Sequence, residues 1–273
     1  MNWHTRYLQQ AGWTRDLRNY LFDKAGLKNA RHILEVGCGT GAVLVDIQSP
    51  ASLTCTPERA SGRCGVRRTL ALPKKHRDNV AGSVRECHGL DLDPAALAEC
   101  RINAPAVSLT RGDGHYLPYP DKSFDIAYCH FLLLWVYDPL QVVREMARVG
   151  RTVLALAEPD YSQRVDEPAA LKSLGEWQTE SLRRQGANPS FGAMLAETFH
   201  QAGISLIETG PIQGQAVMRS AEDWENEWAV ISADLEGIAP GGEIQKMKKL
   251  DEAARKHGKR TLHVPTYFAW GKT

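Results

Sequence analysis

Long apolar runs are missing from this 273-residue sequence. The strongest, Phe131–Val136, falls far short of the roughly 20 residues that cross a bilayer, so no membrane insertion is expected. Cysteine is sparse: the six at 38, 55, 64, 87, 100 and 129 are too few and too scattered for a disulfide framework. A dominant charge is also lacking. Thirty-three Lys and Arg against 32 Asp and Glu leave +1, so no global field points to nucleic acid or a membrane surface. The opening stretch MNWHTRYLQQ has no apolar run after its charges and does not read as a secretory signal, so a cytoplasmic location is expected. Repeats and low-complexity tracts are absent as well. What is present, 43% hydrophobic and 24% charged residues, is the composition of an ordinary folded chain.

The near-neutral total hides an asymmetry. Residues 50–85 carry eight Lys and Arg against Glu58 and Asp78, a local +6 that leaves −5 on the remainder. Rich in Ser, Gly, Pro and charge, this segment reads as a basic loop insertion. Cys55, Cys64, His76 and Cys87 could be imagined as zinc ligands, but their spacings of nine, twelve and eleven match no compact finger. Eight cations could also meet phosphates, yet no aromatic residue interleaves them for base stacking.

From Arg31 onward short apolar runs alternate with helix-like segments, the pattern of a parallel sheet covered on both faces. Seven strands are expected: His32–Val36, Cys87–Leu90, Val107–Thr110, Phe124–Tyr128, Thr152–Leu156, Ile204–Glu208 and Tyr267–Trp270. Asp93-Pro94 and Asp138-Pro139 each pair an N-cap with a proline at the first helical position. Helices are also expected over Ala42–Gln48, Pro168–Arg184 and Pro189–Ala202, the last stopped by Gly203. Between the last two strands, Trp224, Trp228, Ile231 and Leu235 form a helical stripe, with Ser220 and Asp223 approximating a capping box at its start. A second helix over roughly Glu243–Lys256 follows, and residues 1–22 form an amphipathic prelude.

The chemistry is written in Ile33-Leu34-Glu35-Val36-Gly37-Cys38-Gly39-Thr40-Gly41, an apolar strand with an acid near its end and three glycines before a helix. Glycines let the backbone turn sharply and let a ligand lie against main-chain atoms. A dinucleotide fold asks for G-x-G-x-x-G; here the spacing is G-x-G-x-G, with Ala42 at the third dinucleotide position. Glu35 discriminates better, because an acid two residues before the first glycine would repel a pyrophosphate and suit an ammonium or sulfonium. Two further motifs follow later strands: Gly89-Leu90-Asp91-Leu92-Asp93-Pro94, and Arg111-Gly112-Asp113-Gly114-His115 with Leu117-Pro118 and Ser123-Phe124-Asp125 behind it.

In this order the motifs resemble those of the class I S-adenosylmethionine-dependent methyltransferases, in the small-molecule branch related to the ubiquinone-biosynthesis enzymes. The resemblance spans residues 31–160, interrupted by the basic segment, and extends weakly beyond. It implies an α/β fold, a Rossmann-like doubly wound seven-stranded sheet with helical cap insertions, and S-adenosyl-L-methionine as cofactor. Glu35, Gly37, Cys38, Gly39 and Gly41 match the loop that cradles the methionine portion, and Asp91 takes the place of the acid that accepts both ribose hydroxyls. Leu92 would touch the adenine face, Asp113 would bind the adenine amino group, and Gly114 would offer a backbone N–H. Arg6 to Thr14 is similar to an N-terminal helix that covers the cofactor in some relatives, with Tyr7, Gln10 and Trp13 as candidate contacts.

The resemblance implies one methyltransferase domain over 1–273, with an N-terminal helical lid at 1–30, the basic insertion at 50–85 and a helical cap over the acceptor site at 220–258. The implied reaction is in-line SN2 methyl transfer to a small organic acceptor, for which the protein need mainly position the nucleophile and exclude water. No general base is fixed by the sequence. His130, after the fourth strand, is the candidate for catalysis or for contact near the methyl group, and otherwise lines the methionine pocket through its backbone. Tyr161, Trp224 and Trp228 are the candidate acceptor contacts, with plain packing as the alternative for each. No metal is expected. Neither a base-amine methylation signature nor a Pro-Cys nucleophile follows the fourth strand, which favours a small molecule over nucleic acid. A catalytically silent cofactor-binding protein and an RNA methyltransferase recruited through 50–85 are the alternatives.

Overall fold

The computed structural model describes residues 3–48, 85–212 and 221–273. The N-terminal part folds as α1 (Trp3–Trp13), α2 (Arg15–Lys24), β1 (His32–Val36), α3 (Ala42–Gln48), β2 (Glu86–Asp91), α4 (Pro94–Asn103), β3 (Ser108–Arg111), β4 (Phe124–Cys129), α5 (Pro139–Val149) and β5 (Gly150–Pro159). The C-terminal part continues with β6 (Val165–Glu167), α6 (Lys172–Arg184), α7 (Leu195–Gln201), β7 (Ser205–Pro211), α8 (Ala221–Asp234), α9 (Glu243–Lys256), β8 (Thr261–His263) and β9 (Thr266–Lys272).

Seven strands form one sheet in the order β3-β2-β1-β4-β5-β9-β7, parallel except for β9, which runs against both neighbours. The chain builds outward from β1 to β3 and then returns to lay β4 on the other side of β1. The crevice beyond the carboxyl ends of β1 and β4 is therefore the topological switch point, where open α/β sheets bind ligands. Each of the seven strands expected from the sequence lies in this sheet. The buried face of α5 is the expected one, Val142, Val143, Met146 and Val149. The caps also form: Asp93 accepts the Ala95 N–H and Asp138 the Gln141 N–H.

Two apolar layers flank the sheet. One joins Leu21 and Phe22 of α2, Leu44 and Ile47 of α3 and Cys100 of α4 to Ile33, Tyr128 and Leu154. The other joins α5 and Phe199 of α7 to Leu34, Ala127 and Val153. Each fully buried Leu, Ile or Phe here stabilises the fold by about 1.5–3 kcal/mol. A separate apolar cluster, Leu171, Leu174, Trp228, Ile231, Leu235 and Met247, binds α6, α8 and α9 to one another above the strand ends.

Three features depart from expectation. The Pro168–Arg184 and Pro189–Ala202 segments begin as 3-10 turns (Ala169–Leu171 and Phe191–Met194) before their α-helices. Strands β6 and β8 were not expected and pair antiparallel as a small second sheet. The basic segment to residue 84 and the Ser220–Asp223 capping box lie outside the described residues and side chains. Arg85, at the end of that segment, directs its guanidinium to the carbonyls of Leu27 (2.8 Å), Ile47 (3.4 Å) and Ala30 (3.5 Å). Among the described residues no helix is long and apolar enough to cross a membrane.

Candidate active site

A cavity of about 640 Å³ opens at the switch point. Its floor is the loop after β1 and its roof is α1; its far side is built by α6, α8, α9 and the two-stranded β6–β8 sheet.

The floor follows from its glycines. Gly37, Gly39 and Gly41 all adopt positive φ (72°, 50° and 83°), which side-chain-bearing residues resist. The Gly37 and Cys38 amides donate to the Leu90 carbonyl, tying the loop to the end of β2. Gly37 and Gly39 line the cavity, and a Cβ on Gly39 would stand 3.6 Å from the Tyr7 ring that roofs it. Gly41 does not line the cavity. Its missing Cβ makes room for Cys100, whose Sγ would be 2.7 Å away, so its role is to seat α3 on α4.

Glu35 faces the cavity but is buried within the sheet, where Tyr128 on β4 donates to its Oε2 across 3.0 Å. Burial raises the Glu35 carboxyl well above its ordinary range, and the Tyr128 hydroxyl bond only partly counters this. Asp91 lies one strand over. Its Oδ2 accepts the Gly39 N–H at 2.7 Å and its Oδ1 accepts the Asp93 N–H at 2.9 Å. A carboxylate offers about four acceptor sites, so two remain on Asp91 toward the cavity. Asp113 uses Oδ1 for both the backbone N–H and the Nδ1 of His115 (2.9 and 2.6 Å). The His115 backbone bond holds the Asp113 carboxyl below its usual range. Buried His115 is stacked on Tyr137 and accepts the Asp138 N–H at Nε2, which fixes Asp113 against the start of α5. Leu92, Asp113 and Gly114 lie outside the enclosed cavity, and the Leu92 side chain stands out on the surface, 64% exposed.

The roof is clamped by His4, which sequence reasoning passed over. Its Nδ1 meets Thr40 Oγ1 at 2.8 Å and Asn103 Nδ2 at 3.0 Å, binding α1 to the glycine loop and to α4. Tyr7, Gln10 and Trp13 all line the cavity, as the sequence proposed. His130 lines it too, and its Nε2 lies 2.9 Å from Thr14 Oγ1. Buried Arg18 donates to that same Oγ1 (2.8 Å) and to the Ala11 carbonyl. The Thr14 hydroxyl thus sits between the Arg18 guanidinium that donates to it, His130 Nε2 and the Ala11 carbonyl 3.4 Å away. Burial, then the Arg18 charge, hold His130 well below the usual histidine range, so it is neutral at pH 7.

The loop after His130 hangs on one carboxyl. Glu158 of β5 accepts the backbone N–H groups of Leu132, Leu133 and Leu134 at 3.0, 2.9 and 3.2 Å. Burial pushes it up to about 7. This seats Leu132 over Gly37 and closes the floor.

On the far side Tyr161 lines the cavity, and burial raises its hydroxyl. Trp228 does so too, while Trp224 is not among the lining residues. Both indole N–H groups point to Asp251 Oδ2, at 2.8 Å from Trp224 and 3.0 Å from Trp228, so the stripe is core facing a buried acid. Arg6 of α1 reaches across to Glu227 of α8 in an ion pair and lies 5.2 Å over the Trp13 ring. Away from the cavity, His32, Glu86 and His88 bring one ligand atom each within 4.8 Å of one another at the amino ends of β1 and β2; His32 and Glu86 are exposed and His88 half-buried, and His32 Nδ1 and Glu86 Oε2 stand 3.3 Å apart.

The donor set fits a cationic nucleoside. An acid wall (Glu35, Asp91) faces a floor stripped of side chains at Gly37 and Gly39, and both Asp91 and Asp113 keep acceptor sites that no described residue occupies. At this floor a pyrophosphate would meet the Asp91 carboxylate.

Residues 64–152 match the profile of a methyltransferase domain. The match starts within the basic segment, so the glycine loop falls outside it. Among curated proteins, one named as an S-adenosylmethionine-dependent methyltransferase in Mycolicibacterium smegmatis is 27% identical over 197 residues, 65% of this chain and 75% of the relative. The demethylmenaquinone methyltransferase of Alkalihalophilus pseudofirmus is 33% identical over 125 residues, 40% of this chain and 52% of the relative. The chain thus spans about half the length of that enzyme, and it spans 23% and 56% of two other relatives. Among solved structures, a protein of Anabaena variabilis described as a methyltransferase from an antibiotic biosynthesis pathway superposes with a TM-score of 0.61 at 14% identity, over 96% of this chain and all of that one.

Proposed function

We propose, on the premise that the chain belongs to the class I S-adenosylmethionine-dependent methyltransferases, that it transfers a methyl group to a small organic acceptor held between the glycine loop and the helical cap. The observation that carries this reading is the single cavity volume running from the acid-and-glycine floor to a far wall of unlike character, aromatic, aliphatic and ionic. S-adenosylmethionine, when bound, supplies a methyl group on a sulfonium and therefore already electrophilic.

The work left to the protein is binding, orientation and exclusion of water. Glu35 and Asp91 offer negative charge to a cationic ligand, and Asp91 also fixes the Gly39 amide, so loop shape and ligand binding share one carboxylate. Asp113, braced by His115, serves the nucleobase end. Helices α1 and α2 act as a lid, and α8 with α9 as a cap; the Arg6–Glu227 pair joins lid to cap over the cavity. His130, neutral and tied through Nε2 to Thr14, lines the cavity beside the glycine loop as a positioning contact. Tyr161 and Trp228 stand at the acceptor end.

Calorimetry with S-adenosylmethionine and S-adenosylhomocysteine tests the shared basis of this reading, and absence of binding to both would overturn it. Asp91→Ala should weaken binding by about 1–3 kcal/mol, the scale of lost charge-assisted hydrogen bonds. Turnover over phenols, amines, thiols, quinones and small acids then separates an enzyme from a silent binder.

A further inference from the structure

The far wall of the cavity holds an odd number of charges. Arg164 pairs with Asp166 through Nε (2.6 Å) and Nη2 (3.2 Å). Arg260 donates Nη2 to Asp166 (2.7 Å) and Nε to Asp251 (2.5 Å), and Arg255 donates Nε to Asp251 (2.8 Å). Four of these five side chains are all but excluded from solvent: Arg164 at 7%, Asp166 at 3%, Arg260 at 4% and Asp251 at 2% exposure. Three guanidiniums thus share two carboxylates, and one positive charge is left over at the cavity wall, where screening is weaker than on an open surface. An uncompensated buried charge is strongly unfavourable, and a guanidinium cannot escape by losing its proton.

Neither carboxylate can absorb the surplus. Asp251 already accepts two indole N–H groups besides its two arginines, and Asp166 accepts three arginine bonds. The surplus faces the cavity: Arg164, Arg255 and Arg260 all line it, and Arg255 uses only Nε on the described residues, leaving its outer nitrogens toward the opening. A fork of guanidinium N–H groups is the geometry that holds carboxylate or phosphate.

The same cavity has the complementary deficiency elsewhere. Asp234 lines it, and its carboxylate makes no hydrogen bond to the described residues; the charges acting on it are Arg6 and Glu227, already paired with each other. Gln178 Oε1, also in the lining, is buried without a partner. The wall therefore lacks an anion at one place and hydrogen-bond donors at another.

We infer that the acceptor is a small amphoteric molecule, an oxyanion-bearing acid that also carries an amino or hydroxyl group, with the acid held by Arg255 and Arg164 and the donor group by Asp234 and Gln178. Arg260, its own nitrogens engaged by Asp251, Asp166, Glu167 and Thr261, adds charge alone. The inference rests on the reading of this cavity as the acceptor chamber. Free carboxylic acids and phosphate monoesters share the required chemistry.

The experiment uses the full chain saturated with S-adenosylhomocysteine and reads binding by calorimetry. Probes are matched sets of amino and hydroxy carboxylic acids, the corresponding phosphate monoesters, and their uncharged amides and alcohols. Binding of acids at least tenfold tighter than their neutral counterparts is expected, and the carboxylate and phosphate arms identify the preferred oxyanion. Arg255→Gln should remove that preference with S-adenosylhomocysteine affinity unchanged; Arg255 is the most exposed of the three arginines, so this variant should fold even where Arg164→Gln does not. Asp234→Asn should weaken amino-bearing probes more than those lacking the amino group. Equal binding of acids and neutral counterparts, no probe bound while S-adenosylhomocysteine binds, or an acid preference that survives Arg255→Gln would each overturn the inference. Failure of S-adenosylhomocysteine itself to bind would instead overturn the methyltransferase reading.

Discussion

Tyr128 donates its hydroxyl to Glu35 from the position directly opposite in the parallel register of β1 and β4, so the sheet itself delivers the hydrogen bond that steadies a buried acid at the cavity floor. Burial favours the neutral Glu35 carboxyl, whereas a cationic ligand favours the carboxylate. The signs follow. Glu35 contributes stability to the free protein that is complete below its unfolded value and is lost as pH rises through its raised folded value. Cofactor affinity should rise with pH over the range in which Glu35 ionises, and Glu35→Gln should flatten that slope in calorimetric titrations at several pH values. Tyr128→Phe removes one bond from the buried acid and should lower stability by about 1–3 kcal/mol in urea unfolding. Unchanged stability would mean that Glu35 finds another partner.

Gly37 is constrained twice. Its φ of 72° disfavours a side chain, and a Cβ there would lie 2.6 Å from Leu132 Cδ1. Gly37→Ala should therefore force Leu132 off the floor, weaken S-adenosylhomocysteine binding at least tenfold, and lower stability by about 1–3 kcal/mol. Leu132→Ala in the same background should recover part of the binding, because it removes the clash and leaves only the backbone strain.

The parts of this molecule legible in the sequence are those governed by neighbours along the chain. Asp93-Pro94 and Asp138-Pro139 announce helix starts, because cap and first turn are consecutive residues. The glycine loop and the acids at 35, 91 and 113 are likewise local patterns at strand ends. The β6–β8 sheet was not legible, since Val165–Glu167 and Thr261–His263 are three-residue strands without apolar alternation, paired across nearly the whole C-terminal part. Arg164 and Asp166 come from one stretch of the chain and Asp251, Arg255 and Arg260 from another some 85 residues on, and the two meet only after it folds. The tryptophan stripe signalled a buried face correctly, but not that Trp224 and Trp228 would turn their N–H groups to Asp251.

Glu158 gives a second pH signature, at the loop rather than the floor. Its carboxyl rises from 4.5 to about 7 on burial, so the contribution it makes to stability is complete below about pH 4.5 and is lost by about pH 7. At 1.36 kcal/mol per pH unit the change is on the order of 3 kcal/mol. Glu158→Gln does not titrate and should flatten this part of the stability–pH curve in urea unfolding. It should also be less stable than wild type at low pH, because its amide group faces the Leu134 N–H that Oε2 now accepts. A wild-type curve already level from pH 4.5 to 7 would contradict the assignment.

Gly175 offers a test of opposite sign to the usual rule. Replacing an exposed interior helix glycine with alanine ordinarily stabilises by about 1 kcal/mol. Gly175 is buried in α6 with the Arg164–Asp166 ion pair laid against it, and a Cβ there would stand 2.8 Å from Arg164 Nε and 3.2 Å from its Cδ. Overpacking of this kind typically destabilises by about 1–3 kcal/mol. Gly12 in α1 supplies the control, because a Cβ there meets nothing within 4 Å. In thermal unfolding Gly12→Ala should raise the midpoint and Gly175→Ala should lower it. The Gly175 variant should also bind acidic ligands less well, since it displaces Arg164, one of the guanidiniums at the cavity wall, from Asp166. A Gly175→Ala protein as stable as the Gly12→Ala protein would mean that the Arg164–Asp166 pair moves aside freely.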